Sequence, residues 1–352
     1  LAEVQNTLGE YYWARGQVKD AGAAWELAVK LNPNQPEILS NFAWWRWSRI
    51  QKDGVKEVYE KALELDRLNL QRYAELGSFL AIENYPEEAR ELLIRIEELF
   101  DSVAAYRVLA NLHDFLGDVD ISIAWTIRAH QREPDDITHV AKLAEYYADI
   151  GDFETALRLD PEGIGILFKM RRYRDAIDLA ELAMIDRPND IRTRSILAIA
   201  HNALDQYEAA VHVLRDTGLP DSVFDGWRSG ADLDGYQALT NALYGMGNLE
   251  TARELAQWRQ DFGHTDSRDW WVTIQGACES AILGNDEDSR MYLERAQEGF
   301  HLPWDPVLKD SPCFDRLQHD PAYQATVRHF DERRAMLRER LPTTLAEFGV
   351  SL

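Results

Sequence analysis

Cysteine is nearly absent from this chain: among 352 residues there are only Cys278 and Cys313. Two thiols build neither a disulfide framework nor a thiolate metal cluster, and they leave the redox compartment open. Cys278 has no His or Asp beside it and reads as a packing residue. Long apolar runs are missing as well. No stretch approaches the roughly 20 residues that cross a bilayer, so direct membrane insertion of this region is not expected. A leader is missing too, and the chain opens at Leu1 already at the edge of a helical pattern. It therefore reads as a processed fragment whose targeting segment would lie upstream. The compartment reads as cytoplasmic, or periplasmic if a membrane anchor precedes.

Positive charge is scarce. The 38 Lys and Arg face 61 Asp and Glu, for a net charge of −23. Such a surface repels phosphate backbones and anionic lipid, which argues against nucleic acid and membrane surfaces as partners. Catalytic motifs are missing: no HExxH, GxGxxG, GxxxxGK[ST] or GxSxG is found. The nine His are scattered, with no pair at metal-ligand spacing on one helix face. His113 and His201 read as surface or packing residues. The acidic loop Asp221–Asp234 lacks the alternating ligand spacing and terminal Glu of an EF-hand, so it reads as solvated. The basic run Lys169, Arg171, Arg172, Arg174 reads as pairing with acidic neighbours. No enzyme, cofactor or metal is expected from this inventory.

What is present is helical periodicity. Hydrophobic residues make up 45% of the chain and charged residues 28%, with 11 Trp and 14 Tyr, as in a folded protein and unlike a disordered one. In Ala2–Gln35, Val4, Leu8, Tyr11 and Tyr12 fall at helical spacing, as do Ala21, Ala24, Trp25, Ala28 and Leu31. Arg15-Gly16-Gln17 breaks the pattern between them, and Asn32-Pro33 ends it. Small residues at Gly9 and Ala21 let the two helices lie close, with Trp25 filling the space beside them. The unit recurs. Its small residue at the start of the second helix returns as Val55, Ala89, Ser122, Ala156, Ala176, Ala210, Ala252 and Ser289. Successive gaps are 34, 34, 33, 34, 20, 34, 42 and 37 residues. One such hairpin cannot bury its own apolar stripe, so stacked neighbours must do it.

Leu8-Gly9, Tyr12, Gly16, Ala21, Trp25, Ala28 and Pro33 resemble the tetratricopeptide repeat, a unit of about 34 residues. The resemblance implies an all-α solenoid, a right-handed superhelix of eight or nine helical hairpins with a C-terminal capping helix. The spacing divides the chain into a regular array over 1–156 and an irregular, truncated segment over 157–218. Further repeats follow over 219–302, then a Pro-punctuated tail and capping helix over 303–352. Asp160-Pro161 cuts one second helix short, so 157–170 is the expected kink. Surface loops are expected over Leu219–Leu233 and Gly263–Asp269. The tail, DPVLKDSPCFDRLQHDPAYQAT, is similar to the end of bacterial repeat proteins whose array follows a cyclase or winged-helix regulator domain.

The resemblance also implies a ligand face on the first helix of each hairpin. Carried over, it gives Glu3, Asn6, Glu10 and Trp13; Ser40, Trp44 and Trp47; Arg107, Asn111 and Asp114; and Ser195, Asn202, Gln237, Asn241 and Tyr244. Trp13, Trp44 and Trp47 either form an aromatic platform in that groove or pack between repeats, and the sequence leaves both open. The positions that hold a Lys/Arg carboxylate clamp in chaperone-binding repeats are here mostly acidic, amide or aromatic. The leading expectation is a non-enzymatic scaffold that binds a protein or peptide segment. The alternative is a ligand- or partner-sensing region of a larger membrane-anchored regulator. A glycan-acting enzyme ranks last, because no carboxylate pair can be placed.

Overall fold

The computed structural model describes residues 1–49, 51–188, 190–215, 230–261 and 270–352, with backbone alone for 230–233 and 270–271. Every regular element among these residues is helical. The chain forms two compact units, one of Leu1–Asp101 and Pro220–Leu233, the other of Ser102–Leu219 and Asp234–Leu352.

The first unit is three helical hairpins: α1 (Ala2–Ala14) with α2 (Val18–Leu31), α3 (Pro36–Ser48) with α4 (Val55–Leu65), and α5 (Leu70–Ile82) with α6 (Pro86–Leu99). Helices of 11–14 residues fit the 34-residue repeat once two short turns are added. The inner turns close in the left-handed region, at Gly16 (φ 70°) and Asn84 (φ 65°), which Gly and Asn tolerate best. Pro36 and Pro86 sit in the first turn of α3 and α6, where a missing N–H leaves no helical bond unmade. The core is a run of small-against-large contacts: Val18, Ala21, Trp25 and Trp45 are buried together, with Tyr12, Trp13 and Phe42 packed on them.

The second unit continues with α7 (Val103–Phe115), α8 (Val119–Arg132), α9 (Ile137–Asp149), α10 (Phe153–Leu159), α11 (Ile164–Lys169), α12 (Tyr173–Asp186), α13 (Ile191–Asn202) and α14 (Tyr207–Arg215). After residue 229 come α15 (Gly230–Gly245), α16 (Leu249–Asp261), α17 (Trp270–Leu283), α18 (Asp286–Glu298), α19 (Asp305–Lys309), a 3₁₀ turn (Pro312–Leu317) and α20 (Pro321–Phe348). α10 stops after 7 residues where Asp160-Pro161 intervenes, as its sequence requires. The acidic loop expected over Leu219–Leu233 lies outside the described residues up to 229, and from Gly230 the chain is already helical. The loop expected at Gly263–Asp269 also lies outside them.

One expectation is corrected here and another is extended. Cys278 is not a plain packing residue: it is bonded to Cys313, with sulfurs 2.11 Å apart, joining α17 to the 3₁₀ turn. The final helix is the expected C-terminal cap, and it also reaches further: α20 packs both on neighbouring α18 and far back on α8. Ile123, Leu143, Ala156, Leu293, Phe314 and Phe330 consequently share one hydrophobic cluster. The tail adds its own buried apolar residues, among them Phe314, Leu317 and Phe330, to that cluster, and their burial favours docking.

Candidate functional site

The face shared by α1 and α3 in the first unit gathers five side chains. Asn6, Glu10 and Trp13 stand at helical spacing on α1, and Asn41 and Trp44 at a spacing of three on α3. Asn41 Nδ2 donates to Asn6 Oδ1 (3.0 Å) and to Glu10 Oε1 (2.9 Å), and Asn6 Nδ2 donates to Glu10 Oε1 (3.2 Å). One turn further along, the Trp44 ring meets Trp13 edge-on, with centroids 4.4 Å apart. Both rings rest against Trp25, at 6.2 and 6.4 Å. Trp25 is buried to 2% and occupies the space that Gly9 leaves, where an added methyl would stand 2.5 Å from its Nε1. Thus a rigid floor supports an outer ring, and Trp44 keeps 39% of its surface exposed.

The cluster Trp44-Trp45-Arg46-Trp47 divides three ways. Trp45 turns inward against Gly22, and its Nε1 donates to Val18 O at 3.2 Å. Trp47 faces the next hairpin, donating to Glu83 Oε1 at 2.8 Å with its ring 5.4 Å from Phe79. Trp44 alone of the three is exposed. Ser40 is buried, with its hydroxyl unpartnered.

In the second unit the carried-over residues have different surroundings. Arg107 is exposed and lies 3.6 Å from Asp136. Asn111 accepts from the Tyr146 hydroxyl at 3.4 Å. Asp114 is buried beside His301, just before the tail, at 3.6 Å. Burial works to raise the Asp114 carboxyl, yet His301, Lys142 and Lys169 hold it below its usual range. Glu145, in contact with Lys142 and Arg192, is likewise held low against its burial by Lys142, Lys169 and Arg192. Ser195, Asn202, Gln237 and Asn241 are all buried, and Gln237 Nε2 lies 2.9 Å from the Cys278 sulfur. Tyr244 is half-buried against the hydrophobic cluster. The tail takes part in closing this face. Arg171 and Tyr173 reach Asp310, Arg334 donates to Asp149 O at 3.2 Å, and Trp304 lies 6.1 Å from Phe168. A polar cavity of about 210 Å³ remains there, lined by Asp149, Lys169, Trp304, Asp305, Asp331 and Arg334.

Sequence reasoning passed over Asn41, which ties Asn6 to Glu10, because it falls outside the carried-over positions. Its place three residues before Trp44 was the available signal. It also passed over Glu133, Asp136 and His139, whose ligating atoms all lie within 4.8 Å of one another. A search confined to His pairs does not find a mixed set of this kind.

No family model and no curated protein matches the chain. Among solved structures, the chain is similar to the human IFIT1 dimer with m7Gppp-AAAA, at 16% identity and a TM-score of 0.42, over 85% of this chain and 72% of that one. It is similar also to the P58(IPK) TPR domain, at 12% identity and a TM-score of 0.29, over 96% and 98% of the two chains. At such identities and scores, what those proteins hold says nothing about this one. The hairpins themselves, with their 34-residue period, left-handed inner turns and small-against-large helix contacts, decide the class. The chain is an all-α, tetratricopeptide-like repeat protein.

Proposed function

We propose that the chain is a binding scaffold whose first unit receives an extended protein segment across α1 and α3, with Trp44 as its anchor. The carrying observation is Trp44 itself, a large ring held rigid by Trp13 and Trp25 yet left 39% exposed. Exposed aromatics on a fixed support make productive contact surfaces, because little side-chain freedom remains to be lost on binding. The half-buried Asn41, held in place by the buried Asn6, offers its amide oxygen to a peptide backbone, and the exposed Glu10 carboxylate favours a basic residue one step along. An aliphatic or cationic side chain on the Trp44 face completes the match, the latter through cation–π attraction. A net charge of −23 points to the same ligand class and away from nucleic acid.

The test is a peptide array probed with the full chain, with hits measured by titration calorimetry. Segments with an aliphatic or Arg residue beside a Lys or Arg bind, and Trp44→Ala weakens them by about 2 kcal/mol, roughly 30-fold. Trp44 is partly exposed, so the variant melts near the parent temperature. Unchanged affinity in that variant refutes the anchor.

A second reading, the sensing region of a larger membrane-anchored regulator, draws support from the Cys278–Cys313 bond. Disulfides persist in oxidising compartments, which suits a region held outside the cytoplasm. Thiol trapping of the protein in its native cell tests this. Free Cys278 and Cys313 count against it.

A further inference from the structure

We propose that Glu133, Asp136 and His139, at the turn from α8 into α9, bind a divalent transition-metal ion of the Zn2+ type. Their ligating atoms all lie within 4.8 Å of one another, the one such group among the described residues. Local structure fixes each of them. Glu133 caps the C-terminus of α8, its N–H donating to Ala129 O. Asp136 caps α9, and its Oδ1 accepts from Thr138 N at 2.9 Å, which leaves Oδ2 directed elsewhere. His139 stands in the first turn of α9, with Nε2 3.8 Å from that Oδ2.

His139 supplies the independent observation. It is 2% exposed, and neither ring nitrogen has a hydrogen-bond partner. A buried imidazole without partners loses its hydration for no return, so such a group calls for an occupant. An ion between Nε2 and the two carboxylates provides one. One imidazole nitrogen with two carboxylate oxygens suits Zn2+, Co2+ or Ni2+, whereas Ca2+ and Mg2+ prefer all-oxygen shells of higher coordination. Three protein ligands leave a further position for water. The competing cation is Arg107, whose Nη1 is 3.6 Å from Asp136 Oδ2. The His130 ring lies 6.4 Å from that of His139 and lines the same turn.

The experiment uses the full chain after chelator treatment, with Zn2+ alone in calorimetry and Co2+ alone in visible absorption. One ion binds per chain, and the Co2+ spectrum shows nitrogen–oxygen ligation. Glu133→Gln removes an exposed ligand, and Asp136→Asn keeps an oxygen for the helix cap, so both variants fold. Each weakens Zn2+ binding at least tenfold, while Arg107→Gln tightens it. The proposal falls if no saturable binding is seen, or if Ca2+ or Mg2+ binds as tightly as Zn2+. It falls equally if affinity is unchanged in Glu133→Gln and Asp136→Asn, which would place the ion on other histidines.

Discussion

Gly22 has no room for a methyl group, because an added Cβ would stand within the Trp45 ring. On an open helix, Gly→Ala adds about 0.5–1 kcal/mol of stability. Here the sign reverses: Gly22→Ala overpacks the Trp45 seat and lowers stability by about 1–3 kcal/mol, to be read from urea denaturation. Asp234 sets a pH dependence of its own. Burial pushes its carboxyl up to about 7, with Arg192 opposing. Between its ordinary 3.8 and about 7 the folded state holds a proton that the unfolded state has released. Stability therefore falls as pH rises through that window, and the loss is complete above it. Asp234→Asn accordingly raises the melting temperature at pH 8 and leaves it unchanged below pH 3.8. At this scale the sequence was legible where periodicity was clean, as in the seat that Gly9 leaves for Trp25. It was not legible along PEILSNFAWWRWS, where apolar residues surround the helix. Such a pattern cannot say which of Trp44, Trp45 and Trp47 points outward.

Helix α20 binds through polar contacts as well as apolar ones. Asp120 of α8 is fully buried, and it receives both Arg340, with Nε 2.7 Å from Oδ2, and the Thr344 hydroxyl. Arg340 is half-exposed, so its charge is partly screened. Even so, Arg340→Ala strips a buried carboxylate of its main partner and costs about 1–3 kcal/mol, measured by chemical denaturation. The existence of this helix was readable from Asp320-Pro321, a cap followed by a residue that favours the first turn. Its length is less readable: Pro342 lies inside it, yet the helix runs on to Phe348. Its partner was unreadable. Asp120 and Arg340 are 220 residues apart, and no local pattern encodes a meeting at that distance.

Over the molecule as a whole, repeat spacing revealed the hairpins and concealed how the second unit is completed. The Cys278–Cys313 bond closes a loop of 35 residues in the oxidised protein. Its loss removes about 2–4 kcal/mol. Adding reductant lowers the melting temperature by several degrees, whereas the Cys278→Ala, Cys313→Ala double variant starts lower and does not respond. Cysteine counting missed the pair because two thiols in a long chain carry no framework signal. An open repeat array can form hairpin by hairpin as it is made, since each repeat touches only its neighbours. The clasp of α20 on α8 denies the second unit that liberty. A ribosome must reach the codons for Arg340 and Thr344 before Asp120 finds its partners, so α8 keeps part of its surface uncovered while the intervening 220 residues are made. Nascent chains halted before that point should be the ones that chaperones retain.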